Sequence, residues 1–304
     1  TNNVLGVKMV MMDGTVVEIG GEALDAAGLD LLGLVVGSEG QIGVVTEAVL
    51  RILPLAEGAR PMLMGFQSAE ACGACVAAII ASGIIPVAIE YMDRPAIRVC
   101  EAFAHAGYPL DVEALLIIEV EGSEEEIADL IDRITAIAAK FEPSTFKVSQ
   151  SEAESAAIWK GRKSAFGAMG RIADYICMDG TIPTGQLPYV LRRMDEIVKG
   201  YGLRVANVFH AGDGNLHPLI LYNCNDPVEA QKAEDAGMDI LKLCVEVGGC
   251  LTGEHGVGIE KRDLMTFQFN PEDLAQQMRV RAVFDESWLL NPAKVFPLEG
   301  RVAA

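Results

Sequence analysis

From residue 61 onward the chain alternates short apolar runs with amphipathic stretches, and this alternation sharply limits the folds open to it. PMLMGFQ precedes a helical pattern over about 69–82, and IPVAIEYM precedes one over about 93–105. LLIIEVEG (115–122) leads into a third over about 124–140, after which FKVSQ reads as a strand. The third helix carries the clearest signal. Ser123 and Glu126 form a capping box, and Ile127, Leu130, Ile131, Ile134 and Ala138 make one apolar face. The spacing further predicts a helix over 152–168, a strand around 174–178 and a helix from Leu187 to about 200. RVANVFHA and LHPLILY read as strands joined by GDGN, followed by a helix over 227–247 and one more helix within 271–304. Upstream, residues 4–19 form a hairpin turning at Asp13-Gly14, with LGLVV (32–36) a buried strand and VTEAVLRIL (45–53) another. A boundary is expected at 55–60. Interleaved elements with tight turns predict an α+β fold with an antiparallel sheet and helices on one face.

Composition narrows the function. A chain of 304 residues with 51% hydrophobic content can bury a substantial core. A net charge of −19 excludes a nucleic-acid surface, which needs clustered cations, so no nucleic-acid partner is expected. No apolar run approaches the ~20 residues of a transmembrane segment, and no signal-peptide pattern opens the chain. The first residues already read as a turn entering a strand, so the chain is expected to continue upstream of Thr1. Seven cysteines without framework spacing suit reduced thiols and a cytoplasmic location. Cys72 and Cys75 form a CxxC, but within SAEACGACVAAIIASG small residues for close helix packing are the better explanation.

Histidine is scarce, yet three of the four histidines fall in FHAGDGNLHP (His210, His217) and LTGEHGVG (His255, beside Glu254). His210 and His217 would face opposite sides of a straight strand. Gly212, Asp213, Gly214 and Asn215 supply a reversal that can return both imidazoles to one point. One such histidine would suit a plain hairpin; two around one turn, with a Glu-His elsewhere, favour a metal or catalytic role. Glu254 and His255 are adjacent and point apart in an extended backbone, so one can ligate while the other faces a substrate. His210, His217 and Glu254 form a donor set of borderline hardness, suited to Zn, Mn or Fe(II).

These segments resemble the FAD-linked oxidases of the vanillyl-alcohol oxidase/PCMH class, specifically the glycolate-oxidase-type flavin subunits and the D-lactate and D-2-hydroxyglutarate dehydrogenases. The likeness runs nearly the whole length. GSEGQIGVVTEAVLR is similar to the end of their FAD-binding domain, and IWKGRKSAF, YICMDGTIP, RVANVFHAGDGNLHP, EVGGCLTGEHGVGIEKRDLM and LLNPAKVFP match further segments in order. The resemblance implies FAD and a divalent metal as cofactors, with His210, His217 and Glu254 on the metal. It implies that His255 is the base for the hydroxyl proton and that Arg162 holds the substrate carboxylate, although composition alone would make Arg162 a solvated helix charge. Glu39, Gly40, Ile42, Gly43, Val44 and Val45 would line the flavin through the backbone, with Asn291 approaching from the tail.

The implied activity is oxidation of a small (D)-2-hydroxy acid to a 2-keto acid. The implied partners are a second flavin-domain-like subunit and an iron–sulfur subunit, through which the protein would be peripherally membrane-associated. In fold terms the resemblance implies a remnant of a PCMH-type FAD-binding domain (1–55), an α+β cap or substrate domain (56–270) with antiparallel sheet and flanking helices, and a segment returning to the flavin side (271–304). Two departures stand out. Relatives of the glycolate type often read DGTIPRR where this chain has Thr184-Gly185 after Pro183, and no glycine-rich phosphate loop precedes Gly37, so the fragment alone is expected to hold FAD weakly or not at all and to be inactive. The competing readings are a flavin-free metal hydrolase on the same cluster, and an inactive module of a multi-subunit oxidase.

Overall fold

The computed structural model describes residues 2–23 and 28–298. The chain divides into two compact units, one made of the residues up to Leu55 together with those from His255 onward, the other of Ala56–Glu254.

In the first unit β1 (Val4–Val10) pairs antiparallel with β2 (Val16–Gly20) and with β3 (Val44–Leu50). LGLVV does not form a strand. Leu32–Val35 is a single helical turn, α1, because the Asp30 carboxylate accepts the Gly33 N–H at 2.9 Å and draws the backbone into a turn. Val35 from that turn packs with Val7, Met9 and Ile42 in a small core.

The second unit is built on one sheet. Its strands are β4 (Gly58–Phe66), β5 (Ala88–Asp93), β6 (Ala114–Gly122), β7 (Thr145–Val148), β8 (Asp174–Cys177), β9 (Gly180–Thr181), β10 (Arg204–His210), β11 (Asn215–Leu216) and β12 (Pro218–Tyr222). The order is β7-β4-β6-β5-β10-β11-β9, with β12 pairing β10 and β8, and every pairing is antiparallel. The helices are α2 (Ala69–Ala81), α3 (Arg94–Ala104), α4 (Glu124–Ala138), α5 (Glu152–Lys163), α6 (Ala165–Met169), α7 (Leu187–Gly200) and α8 (Pro227–Glu246). Back in the first unit come α9 (Met265–Gln268) and α10 (Pro271–Phe284). The stretch expected as one helix over 152–168 is thus two, interrupted at Ser164, whose hydroxyl donates back to the Lys160 carbonyl at 2.6 Å.

The helices cover both faces of the sheet rather than one. Successive residues of β6 go to different cores: Leu116, Ile118 and Val120 pack with α2, α4, α7 and α8, while Leu115 and Ile117 pack with α3, α5 and α6. Two-sided burial accounts for the unbroken apolar run ALLII where a half-exposed strand would alternate. The capping box at Ser123 and Glu126 is present, with both reciprocal hydrogen bonds. Cys72 and Cys75 lie buried in α2 with their thiols pushed up by burial, Cys75 to about 12, and the intervening Gly73 sits against Pro188 and Leu191 of α7. That is close helix packing.

Asp93 joins β5, α3 and β10. Its carboxylate caps α3 through the Ala96 N–H (3.0 Å) and accepts both the backbone and side-chain N–H of Asn207 (2.8 Å each). Burial raises its pKa to about 7 against the lowering effect of those donors. The folded state therefore holds this proton more tightly than the unfolded chain, whose carboxyl titrates near the ordinary value. Its contribution to stability is greatest below that value and declines as pH rises toward about 7. Chemical denaturation between pH 4.5 and 7.5 is expected to show this decline in the wild type and a flatter profile in Asp93→Asn; equal slopes would contradict it.

Candidate active site

The site in the second unit begins with strand register. His210, the last residue of β10, is paired directly opposite Glu90 of β5. Their neighbours Phe209 and Tyr91, also opposite, stack at 4.6 Å on the other face, within the core that holds α2. Alternation thus sends Glu90 and His210 to the face covered by α3, α5 and α6. There Glu90 Oε1 meets His210 Nδ1 at 2.8 Å, and Oε2 accepts from Arg162 of α5 through Nη2 (2.8 Å) and Nε (3.0 Å). Arg162 is only 7% exposed and is no solvated helix charge. The Glu90 hydrogen bond raises the His210 pKa above its ordinary value.

The GDGN turn does what its glycines suggest. Gly214 has φ +70°, and a Cβ there would lie 2.1 Å from the Ile182 carbonyl oxygen, so only glycine lets β10 reverse into β11. The reversal brings His217, 3% exposed, to within 5.3 Å of His210, ring centre to ring centre and nearly perpendicular. Both Nε2 atoms approach Glu254 Oε1, at 3.2 Å from His217 and 3.8 Å from His210. In a tetrahedral site with bonds of roughly 2.0–2.2 Å, donor atoms sit about 3.3–3.6 Å apart, a range that the two Glu254 approaches bracket. His210, His217 and Glu254 are therefore brought together.

Sequence reading missed Asp179. It is fully buried in the turn between β8 and β9 and accepts from Thr252 Oγ1 (2.7 Å), Gly253 N (3.1 Å) and Glu254 N (3.1 Å). Those bonds fold the 252–254 segment so that Glu254 faces His217. Asp179 Oδ1 also lies 3.5 Å from His217 Nε2, and Asp179, His217, Glu254 and His255 each offer a ligand atom within 4.8 Å of the others. His210 is not in that group but approaches Glu254 Oε1 at 3.8 Å, and Asp179 is engaged by three donors of the loop it anchors. Glu90 was missed as well. A lone acid in the apolar strand AIEYM was the available signal, but its partners lie 72 and 120 positions away.

The first unit contains a separate cavity of 430 Å³ lined by Glu39, Gly40, Gly43, Val44, Val45 and Asn291, among others. The Glu39 carboxylate accepts from Val257 N (2.7 Å) and Gly258 N (2.9 Å), and its carbonyl accepts from Asn291 Nδ2 at 2.5 Å. Side-chain demands are thus met internally, leaving a wall lined by glycine and valine. Ile42, by contrast, packs into the small core beneath. His255, exposed, follows Glu254 directly in the chain.

Helices packed on an antiparallel sheet define the fold class. Residues 56–295 match the family described as FAD linked oxidases, C-terminal domain, and the chain belongs to that family. It is 48% identical over 303 residues to the glycolate oxidase subunit GlcD of Escherichia coli strain K12, covering 99% of this chain and 61% of that protein. Identity to the glycolate oxidase subunit GlcD of Bacillus subtilis strain 168 is 34%, over 98% of this chain and 64% of the relative. The chain thus spans under two thirds of either relative. A solved 4-ethylphenol oxidase from Gulosibacter chungangensis shares the fold at a TM-score of 0.76 and 15% identity, over 98% of this chain and 66% of that one.

Proposed function

We propose that this chain is the substrate-handling part of an FAD-linked oxidoreductase that converts a small (D)-2-hydroxy acid, such as glycolate or D-lactate, to its 2-keto acid. The observation that carries this reading is 48% identity to a glycolate oxidase subunit across the stretch holding the clustered His210, His217 and Glu254. Residues 1–55 are assigned to the end of a flavin-binding domain, 56–270 to the substrate domain and 271–304 to a return toward the flavin.

His210, His217 and Glu254 hold a divalent metal, which supplies a Lewis acid for the substrate hydroxyl. Arg162, with its Nη1 edge outside the Glu90 ion pair, binds the substrate carboxylate. His255 takes the hydroxyl proton as general base. FAD, against the wall formed by Glu39, Gly40, Gly43, Val44, Val45 and Asn291, supplies the hydride acceptor. That the named relatives are oxidase subunits supports partner chains here too; the family resemblance implies a second flavin-domain-like subunit and an iron–sulfur subunit that carries electrons onward, with the protein cytoplasmic and peripherally membrane-associated through them. Among the described residues no helix is long and apolar enough to cross a membrane.

Anaerobic addition of glycolate or D-lactate to the protein carrying this chain should bleach the visible flavin band and yield one 2-keto acid per flavin. A colourless protein that cannot be reconstituted with FAD, yet turns over a substrate, would overturn the reading.

A further inference from the structure

Glu90 is 5% exposed, sits mid-sheet, and divides its two oxygens between two different partners: Oε1 faces His210 Nδ1 and Oε2 faces the Nε and Nη2 edge of Arg162. Neutralising a buried guanidinium would require only one of these. An ionised carboxylate is acceptor-only, so His210 Nδ1 must carry the hydrogen it presents to Oε1. In a neutral imidazole this leaves Nε2 bare, and Nε2 is the atom aimed at Glu254 Oε1. The β5–β10 register fixes the arrangement, since Glu90 and His210 are cross-strand partners and neither can slide without shifting the pairing.

We propose that Glu90 is a positioning residue that locks His210 in the Nδ1-protonated tautomer, so that Nε2 is available to a metal, while the same carboxylate fixes Arg162 beside it. The inference rests on the reading of His210 as a metal ligand. It also ties the cation site and the anion site to one buried side chain.

Glu90→Gln separates this role from simple charge neutralisation. The charged guanidinium outcompetes imidazole for the single amide oxygen, so the amide NH₂ turns toward His210. Nδ1 then accepts, the hydrogen moves to Nε2, and the ligand atom is blocked although Arg162 keeps its partner. Beside Glu90 and His210 lies a cavity of 90 Å³, also bounded by Ile89 and Gly212, through which a small anion can reach the place of a shortened side chain.

The test has three readouts on the full protein. First, ¹⁵N NMR of metal-free protein, recorded at a pH where the His210 imidazole is neutral, should show the Nδ1–H tautomer in the wild type and Nε2–H in Glu90→Gln. Second, the zinc dissociation constant, by competition with a chelating dye, should weaken roughly 10–100-fold in Glu90→Gln, the effect of losing an outer-sphere partner. Third, formate should restore zinc affinity in Glu90→Ala but leave the wild type unchanged. Wild-type zinc affinity in a folded Glu90→Gln, or an Nε2–H tautomer in the wild type, would overturn the proposal. A wild type that binds no zinc but shows the Nδ1–H tautomer would instead remove the metal-site reading and leave the positioning role of Glu90 standing.

Discussion

His255→Ala is expected to lower turnover by about 10²–10⁴-fold with flavin still bound, the range for removal of a general acid–base group. Of the histidines in the two glycine-rich segments, His210 is committed through Nδ1 to Glu90, and both His210 and His217 direct Nε2 toward Glu254. His255 is exposed and follows Glu254 directly in the chain. If it is the base, turnover collapses while metal content and the flavin spectrum stay at wild-type values. Near-wild-type turnover by steady-state assay with an artificial electron acceptor would remove the assignment.

His217→Ala is expected to abolish stoichiometric metal retention, a loss larger than the roughly 10–100-fold that follows from removing an outer-sphere partner. His217 contributes the shorter of the two imidazole approaches to Glu254 and is the most enclosed of the three donors. Its ring is also flanked edge-on by Phe166 and by His210, and its replacement removes the most enclosed imidazole of the cluster. Metal analysis after gel filtration checks this, with a circular-dichroism melt to confirm folding. A folded variant that keeps one equivalent of metal would contradict the ligand assignment.

How legible this site is from sequence depends on how far apart its parts lie. His210 and His217 are seven residues apart around a turn whose glycines announce the reversal, so their convergence can be read locally. Glu90 and Asp179 become visible only when strand register and a buried turn bring distant segments together, and no local pattern encodes either pairing. Arg162 shows the same limit in reverse: its helix context suggests solvent, and only tertiary packing reveals a buried cation needing a counter-charge. In the fold, long periodic helices such as α4 were readable with their caps, whereas LGLVV was not. A five-residue apolar run has too few positions to separate period 2 from 3.6, and one Asp30 hydrogen bond decided it. The placement of helices on both faces was written in the ALLII run of β6, whose lack of alternation marks two-sided burial.

In the proposed reaction, His210, His217 and Glu254 present a 2-hydroxy acid through a divalent metal. The most direct measurement is anaerobic flavin reduction by substrate in protein stripped with a chelator and then resupplied with zinc or manganese. No bleaching of the flavin band is expected in the stripped protein, and full bleaching once one equivalent of metal per chain is restored. Bleaching at an undiminished rate without metal would contradict it.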